Sequence, residues 1–220
     1  MAINIVGYTG IDTFDIILYL SRILLKLDRR ILLIDHSETQ ALESSIPEFE
    51  GLNTEKGIVS FRHVDFTRMT INERIAGDYD DILIAYGFHE PAADKALLTH
   101  VIYATDLYEY NQERINEMRY YDTPDTVKQL LIRDVVNVKI TPEIIARRIN
   151  KNIRKENIKI LYLEEEDLFA RLICNYNKTP RFVKLSGPLK AYLMQEAGIL
   201  YPEAKRGQIR KAYYKARKGD

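Results

Sequence analysis

The chain has no tryptophan and a single cysteine, and its longest apolar runs, such as Ile16–Leu20, are far too short to cross a bilayer. A lone cysteine excludes an internal disulfide and suits a reducing compartment. Its flank, FARLICNYN, reads as a helix face, so Cys174 is expected to be a buried structural thiol rather than a nucleophile. No basic segment followed by a long apolar stretch and a small-residue cleavage site opens the chain, so no secretory signal is expected. The four histidines, His36, His63, His89 and His100, lack any metal-ligand spacing such as HExxH, and no metal site is expected. Net charge is also lacking: 32 basic residues balance 32 acidic ones.

That balance is uneven along the chain. Lys205, Arg206, Arg210, Lys211, Lys215, Arg217 and Lys218 fall in the last sixteen residues, opposed only by Asp220, which leaves 25 basic and 31 acidic residues in 1–204, a net of −6. A mildly acidic body with a basic tail is therefore expected, divided as 1–202 and 203–220. Within the tail Ile209, Ala212, Tyr213 and Ala216 fall at i, i+3, i+4 and i+7, a narrow apolar stripe on a basic helix. Such a helix can dock on protein, including the chain's own acidic body. It can also lie on anionic lipid or meet nucleic acid. The stripe lacks Leu, Phe and Trp, which favours docking over membrane insertion. Fifteen tyrosines suit protein interfaces, though composition bias accounts for them equally well.

What is present alternates strand and helix. Ile3–Val6 reads as a short buried strand before Gly7, and Thr13–Leu27 carries a broad apolar helical face. Ile31–Ile34 is a continuous apolar run of the kind found in parallel strands covered on both faces, and Asp81–Ala85 reads as the next buried strand. Gly57–Val64, His100–Ala104 and Ile158–Leu163 read as further strands, and Val127–Arg133 holds the apolar run Leu130-Leu131-Ile132. Ser37–Lys56 reads as polar loop with room for a short helix. Glu90–Leu98, Tyr108–Met118, Thr141–Asn150, Glu165–Asn175 and Leu189–Ala197 read as helices, the last closed by Gly198. The alternation predicts an α/β fold with a doubly wound, mostly parallel sheet flanked by helices. In such sheets ligands sit beyond the carboxyl ends of the strands, here Gly7–Thr13, Asp35–Thr39, Ala85–Pro91 and Thr105–Tyr108.

In order and spacing, the Ile3–His36 unit, the strand ending LLID, the later YDDILIAYG, VIYATDL and LYLEEEDLFARLICNYN resemble the ParA/MinD-like ATPases over most of residues 1–200. These are P-loop proteins with a deviant Walker A loop of form KGGxGKT. The resemblance implies a loop at Gly7, Tyr8, Thr9, Gly10, Ile11, Asp12 and Thr13, with Thr13 near the metal-binding hydroxyl. Both family lysines are missing, and Asp12 stands where one would neutralise phosphate. A carboxylate about 4 Å from a phosphate oxygen is repelled by about 1–4 kcal/mol at effective dielectrics of 80 to 20. The loop is also one residue short. Asp35 matches the aspartate that ends the family's second strand. Ala85 and Tyr86 stand where the Walker B aspartate would hold magnesium.

The resemblance with these losses implies a pseudo-ATPase with no catalytic residues and no cofactor, a cytoplasmic scaffold, localisation or assembly factor of a larger bacterial apparatus, pilus, secretion or cell positioning. Its partners would be proteins, a homodimer included, and the basic tail leaves a membrane surface, at the membrane's inner face, or nucleic acid open. The alternatives are a switch that binds ATP and magnesium weakly and hydrolyses slowly, and a small-molecule enzyme using Asp35 and His36 as an acid/base pair. On the residues alone, Asp12 reads as a first-turn helix acid. Asp35 reads as a strand-end group binding backbone N–H, and Glu164–Asp167 as acids gathered at a helix N-terminus.

Overall fold

Apolar runs of four to seven residues form the centre of the molecule, because a strand buried on both faces has no solvent side to mark with alternating polar residues. In the computed structural model the described residues are 3–47, 57–90, 94–118, 126–149, 151–178 and 184–218. Their elements, in chain order, are β1 (Asn4–Gly10), α1 (Phe14–Leu25), β2 (Ile31–Asp35), α2 (Ala41–Ser44), β3 (Ile58–Phe61), β4 (Val64–Thr67), α3 (Glu73–Ala76), β5 (Asp81–Gly87), β6 (His100–Thr105), α4 (Glu109–Glu117), β7 (Val127–Val135), α5 (Pro142–Arg148), β8 (Ile158–Tyr162), α6 (Glu165–Tyr176), α7 (Gly187–Leu200) and α8 (Arg206–Lys218). The eight strands form one sheet in the order β3-β4-β2-β5-β1-β6-β7-β8. All neighbours run parallel except β3, which lies antiparallel to β4 at one edge. The expected α/β class and doubly wound sheet are what the chain forms.

Helices cover both faces. One core gathers α1, α7 and α8, with Ile16, Ile17, Leu20, Leu193, Ala197 and Tyr213 fully buried. The other packs Ile115 of α4 and Ile145 of α5 against Ile82, Ile84, Tyr103 and Ile132. The stripe Ile209, Ala212, Tyr213, Ala216 is buried in the first core. The two larger side chains contribute about 1.5–3 kcal/mol each by area. The basic segment is thus a helix on the shared core, and a boundary at residue 203 is one of charge and surface rather than of core.

Several boundaries differ from the sequence reading. β1 runs to Gly10 instead of ending at Val6. Gly57–Val64 is not one strand but the start of a hairpin, β3 and β4, with Arg62 and His63 at positive φ in the turn. α7 continues through Gly198 to Leu200 rather than closing there, and Gly198 lies against Ile209 of α8. Of Glu90–Leu98, the described residues are Glu90 and 94–98, and their only helical part is a single 3₁₀ turn, Asp94–Leu97. Of the expected loop Ser37–Lys56, residues 37–47 are described and hold the short helix α2, while 48–56 lie outside the described residues, as does Asn150.

Candidate functional site

The site is built where β1 hands over to α1. Gly7 pairs with Ile84 and Val101, Tyr8 with Ala85 and Ile102, and Gly10 with Ala104, so these residues belong to the sheet rather than to a loop. Tyr8 and Thr9 are buried and β-favouring, which carries the strand on. Gly7 has a packing reason: a Cβ there would stand 2.9 Å from the Tyr86 ring. Gly10, at φ +107°, ends the strand in a conformation L side chains rarely adopt, with Ala104 O only 2.0 Å from an added Cβ. The Ile11 N–H then donates to Ala104 O at 3.0 Å. The connection to α1 is therefore three residues, Ile11, Asp12 and Thr13, where Gly7–Thr13 had been expected to form the whole loop.

Each of those three residues has a place. Thr13 is buried and its carbonyl accepts from Ile17 N at 3.0 Å, while its side chain makes no capping bond. Asp12 precedes α1 and is not in its first turn, a correction to the sequence reading. Its carboxylate accepts from Thr39 Oγ1 at 2.8 Å and its carbonyl from Arg133 Nη1 at 3.1 Å. Burial raises the Asp12 carboxyl. The Thr39 hydroxyl opposes this, the charges of Asp35 and Glu38 add to it, and Arg133 opposes it.

The first-turn acid of α1 is Asp15, which is completely enclosed and bound by both Arg133 terminal nitrogens at 2.8 Å. Burial alone would raise its pKa; the charge and hydrogen bonds of Arg133 outweigh that and hold it below the usual carboxylate range. Arg133 reaches Asp15 from an irregularity in β7. The register with β8 shifts between Ile132 and Val135, and Asp134 sits at φ 56°. Asp134 in turn receives Arg171 Nη1 at 2.9 Å and lies 3.7 Å from Arg133 Nε, giving an ionic chain Asp15–Arg133–Asp134–Arg171 that ends on α6. The sequence reading missed this pair. Its signal was there: an arginine closing the buried run Leu130-Leu131-Ile132 needs an internal counter-charge.

Around this turn the strand ends are tied by acids. Asp35 accepts from Ser37 N, Ser37 Oγ and Glu43 N at 3.0, 2.6 and 3.0 Å, fastening β2 to α2. His36 does not meet it: the His36 ring lies 3.1 Å from Arg68 O. Ala85 is paired with Asp35 inside the sheet, and Tyr86 is buried with its ring 5.8 Å from that of His36. At the end of β5 the carboxylate comes from Glu38, which accepts from Phe88 N at 3.1 Å and pairs with Arg114 at 3.3 Å. Sequence reasoning missed Glu38 too. A cavity of 740 Å³ opens beyond β2 and β4 between Asp35, Gln40, Glu43, Phe66 and Arg68; none of Gly7–Thr13 is among the described residues lining it.

The remaining candidates are structural in their contacts. Asp167 accepts from Ser186 N and Oγ at 2.7 and 2.6 Å, and Glu166 pairs with Lys184. Cys174 is buried, its thiol pushed up to about 12 by burial and then by the charge of Asp15. Among the described residues, no group of three or more His, Cys, Asp or Glu could hold a metal, and no helix is long and apolar enough to cross a membrane. On α8, Arg206, Arg210, Lys211, Lys215 and Lys218 are exposed, with Lys205 just before them and Arg217 half-buried.

Neither a protein-family model nor a curated protein matches the sequence. Solved structures do. A ParA family ATPase from Chlorobium tepidum TLS aligns over 97% of this chain and 97% of its own, at 12% identity and a TM-score of 0.54. The fold is that of the ParA/MinD ATPases. The MinC:MinD cell division complex of Aquifex aeolicus aligns over 99% of this chain and 97% of its own, at 12% identity and TM-score 0.59. The septum site-determining protein MinD of Pyrococcus horikoshii OT3, complexed with Mg-ADP, aligns over 98% and 95%, at 12% and 0.57. At such identities the likeness is one of ParA/MinD architecture.

Proposed function

We propose that this ParA/MinD-like chain is a non-catalytic pseudo-ATPase that serves as a scaffold, localisation or assembly factor of a larger bacterial apparatus through protein contacts. The observation that carries the reading is the three-residue turn. A phosphate-binding loop needs a run of outward backbone N–H groups and a cation. Here Gly7–Gly10 are held in the sheet, the Ile11 N–H is engaged by Ala104, and the nearest guanidinium, Arg133, is bound to Asp15. Asp12, Asp35 and Glu38 gather negative charge at the same place. These residues do not fit a magnesium nucleotide.

The basic face of α8, from Lys205 to Lys218, is the proposed partner-binding surface, with an acidic protein as the partner. Its apolar stripe faces α1 and α7, so lying on a membrane would require the helix to leave the core. A cytoplasmic location follows from the reading as a whole.

Calorimetric titration of ATP, ADP and GTP with magnesium tests the proposal; no saturable heat is expected. Submillimolar affinity that Thr13→Ala abolishes would overturn it and favour the nucleotide switch. One observation stands on the side of that second reading: a guanidinium already lies at the start of α1 and would meet a phosphate if it left Asp15. Liposome and DNA co-sedimentation of the full chain beside an Arg210→Glu/Lys211→Glu/Lys215→Glu variant, whose changes lie on the exposed face of α8, separates lipid and nucleic acid from protein as partners of α8.

A further inference from the structure

Helix α7 turns an acid inward. Glu196 is buried on the side of the helix that meets the sheet. Gln129 Nε2 of β7 donates to its Oε1 at 3.1 Å and to the Tyr192 hydroxyl of α7 at 3.3 Å. Tyr8 of β1 and His100 of β6 line the same small cavity. The buried Tyr8 hydroxyl has no hydrogen-bond partner among the described residues. Lys159 of β8 reaches Glu196 by its charge, but its ammonium is held on Glu156 O at 2.9 Å. The carboxyl therefore stands among two phenols, an amide and an imidazole, and among the described residues it forms no ion pair.

Space decides what this acid can do. The cavity measures 10 Å³, room for about one water molecule. A carboxylate without a cation needs more hydration than one water supplies. Glu196 also stands near the C-terminal end of α7, where the helix dipole disfavours negative charge. It can ionise freely only where α7 comes off the sheet. α7 would not leave alone. Leu193 and Ala197 are fully buried in the core shared with Ile209, Ala212 and Tyr213 of α8, and Gly198 lies against Ile209. We propose that Glu196 is a proton-operated latch: protonated, it seals α7 onto β1 and β7, and loss of the proton favours an open form in which α7 and α8 come away together. The inference rests on this cavity, and neither on the partner of α8 nor on the chemistry of the turn before α1.

Hydrogen exchange of the full chain from about pH 5.5 to about pH 8.5, read by mass spectrometry and corrected for intrinsic rates, tests the latch. Burial lifts the Glu196 carboxyl from 4.5 to about 7, so the open form holds fewer protons and gains population as pH rises. Opening of 187–218 should increase about twentyfold between about pH 5.5 and about pH 7.5 and level off above that. β2 and β5, at the centre of the sheet, should exchange at least about tenfold more slowly at every pH. Glu196→Gln, and Glu196→Met, which fills the space without a titrating group, should each flatten the profile. His100→Gln should not. Burial lowers the His100 pKa, so its protonation loosens the fold on acidification, the opposite direction. Burial pushes the Tyr8 and Tyr192 hydroxyls well above their ordinary value, and both stay neutral throughout. Opening that does not change with pH, that still changes in both Glu196 variants, or that α7 and α8 share at one rate with β2 and β5 would each overturn the proposal.

Discussion

Helices α6 and α8 carry similar patterns and are attached in opposite ways. α8 sinks Ile209, Ala212, Tyr213 and Ala216 into the core shared with α1 and α7 and leaves its charges in water. α6 holds on by Ala170, Cys174, half-buried Ile173 and the Arg171–Asp134 link to the buried Asp15–Arg133 pair, and leaves its large apolar side chains in water. The difference teaches that an apolar stripe says a helix has something to bury, not that this chain buries it. At α6 the inward side approaches the ionic chain at the start of α1, and Ala170, Cys174 and the Arg171 guanidinium are what it places there.

The polar attachment is the place to strike hardest. Asp15→Ala leaves the Arg133 guanidinium enclosed without its counter-charge, and unfolding by urea at pH 7 should show a loss of about 3–5 kcal/mol. The double variant Asp15→Ala/Arg133→Met should recover most of that loss, because two apolar groups bury more easily than one unpaired ion. Recovery would establish that the pair orders the junction of β1, β7 and α6 rather than supplying net stability. A loss under about 1 kcal/mol for Asp15→Ala would mean that water reaches Arg133, contrary to its burial.

The apolar attachment should respond next. Tyr213→Ala removes a ring that is 2% exposed, and a loss of about 3 kcal/mol is expected, at the low end for aromatic truncation because the neighbouring Ala212 and Ala216 let α8 settle. Equilibrium denaturation monitored by tyrosine fluorescence checks it.

How far the sequence showed these arrangements depends on the element. Short continuous apolar runs such as Ile31–Ile34 and Ile82–Ala85 announced central parallel strands, because runs of that length between polar breaks suit a strand covered on both faces better than a helix. The turn was misplaced because glycine marks a loop more often than it marks a strand. Gly7 is glycine for the sake of the Tyr86 ring, a contact with no trace in local sequence. Arg133 was readable in kind, as a charge at the end of a buried run, but not in partner, because Asp15 lies 118 positions away. The inversion of α6 was not readable, since periodicity reports a face without saying which way the sheet lies.

A buried acid on the apolar side sharpens the contrast. Glu196 of α7 is 4% exposed and faces Tyr8 of β1, Gln129 of β7 and Tyr192 of its own helix, with Lys159 of β8 as the cation whose charge reaches it. Burial pushes its carboxyl up to about 7 from 4.5, against the Gln129 hydrogen bond and Lys159. The folded protein therefore holds this proton more tightly than the unfolded chain. The contribution is fully present below pH 4.5, is lost as pH rises through 7, and stays lost above it. Glu196→Gln should stabilise the protein at pH 8 by up to about 3 kcal/mol and change little at pH 4.5. A melting-temperature difference between wild type and variant that is flat from pH 4.5 to 8 would show Glu196 to be solvated after all.

The smallest effect belongs to α6 and tests the comparison most directly. Phe169→Ala truncates an aromatic ring, as Tyr213→Ala does, but the ring is 58% exposed and encloses nothing in the isolated chain. Its removal should move stability by no more than about 0.5 kcal/mol. Alanine is also the better helix former, by a few tenths of a kcal/mol, so a slight gain is the expected sign. Equal costs for Phe169→Ala and Tyr213→Ala in dilute solution would mean that α6 buries its stripe within its own chain, and the distinction between the two helices would fall.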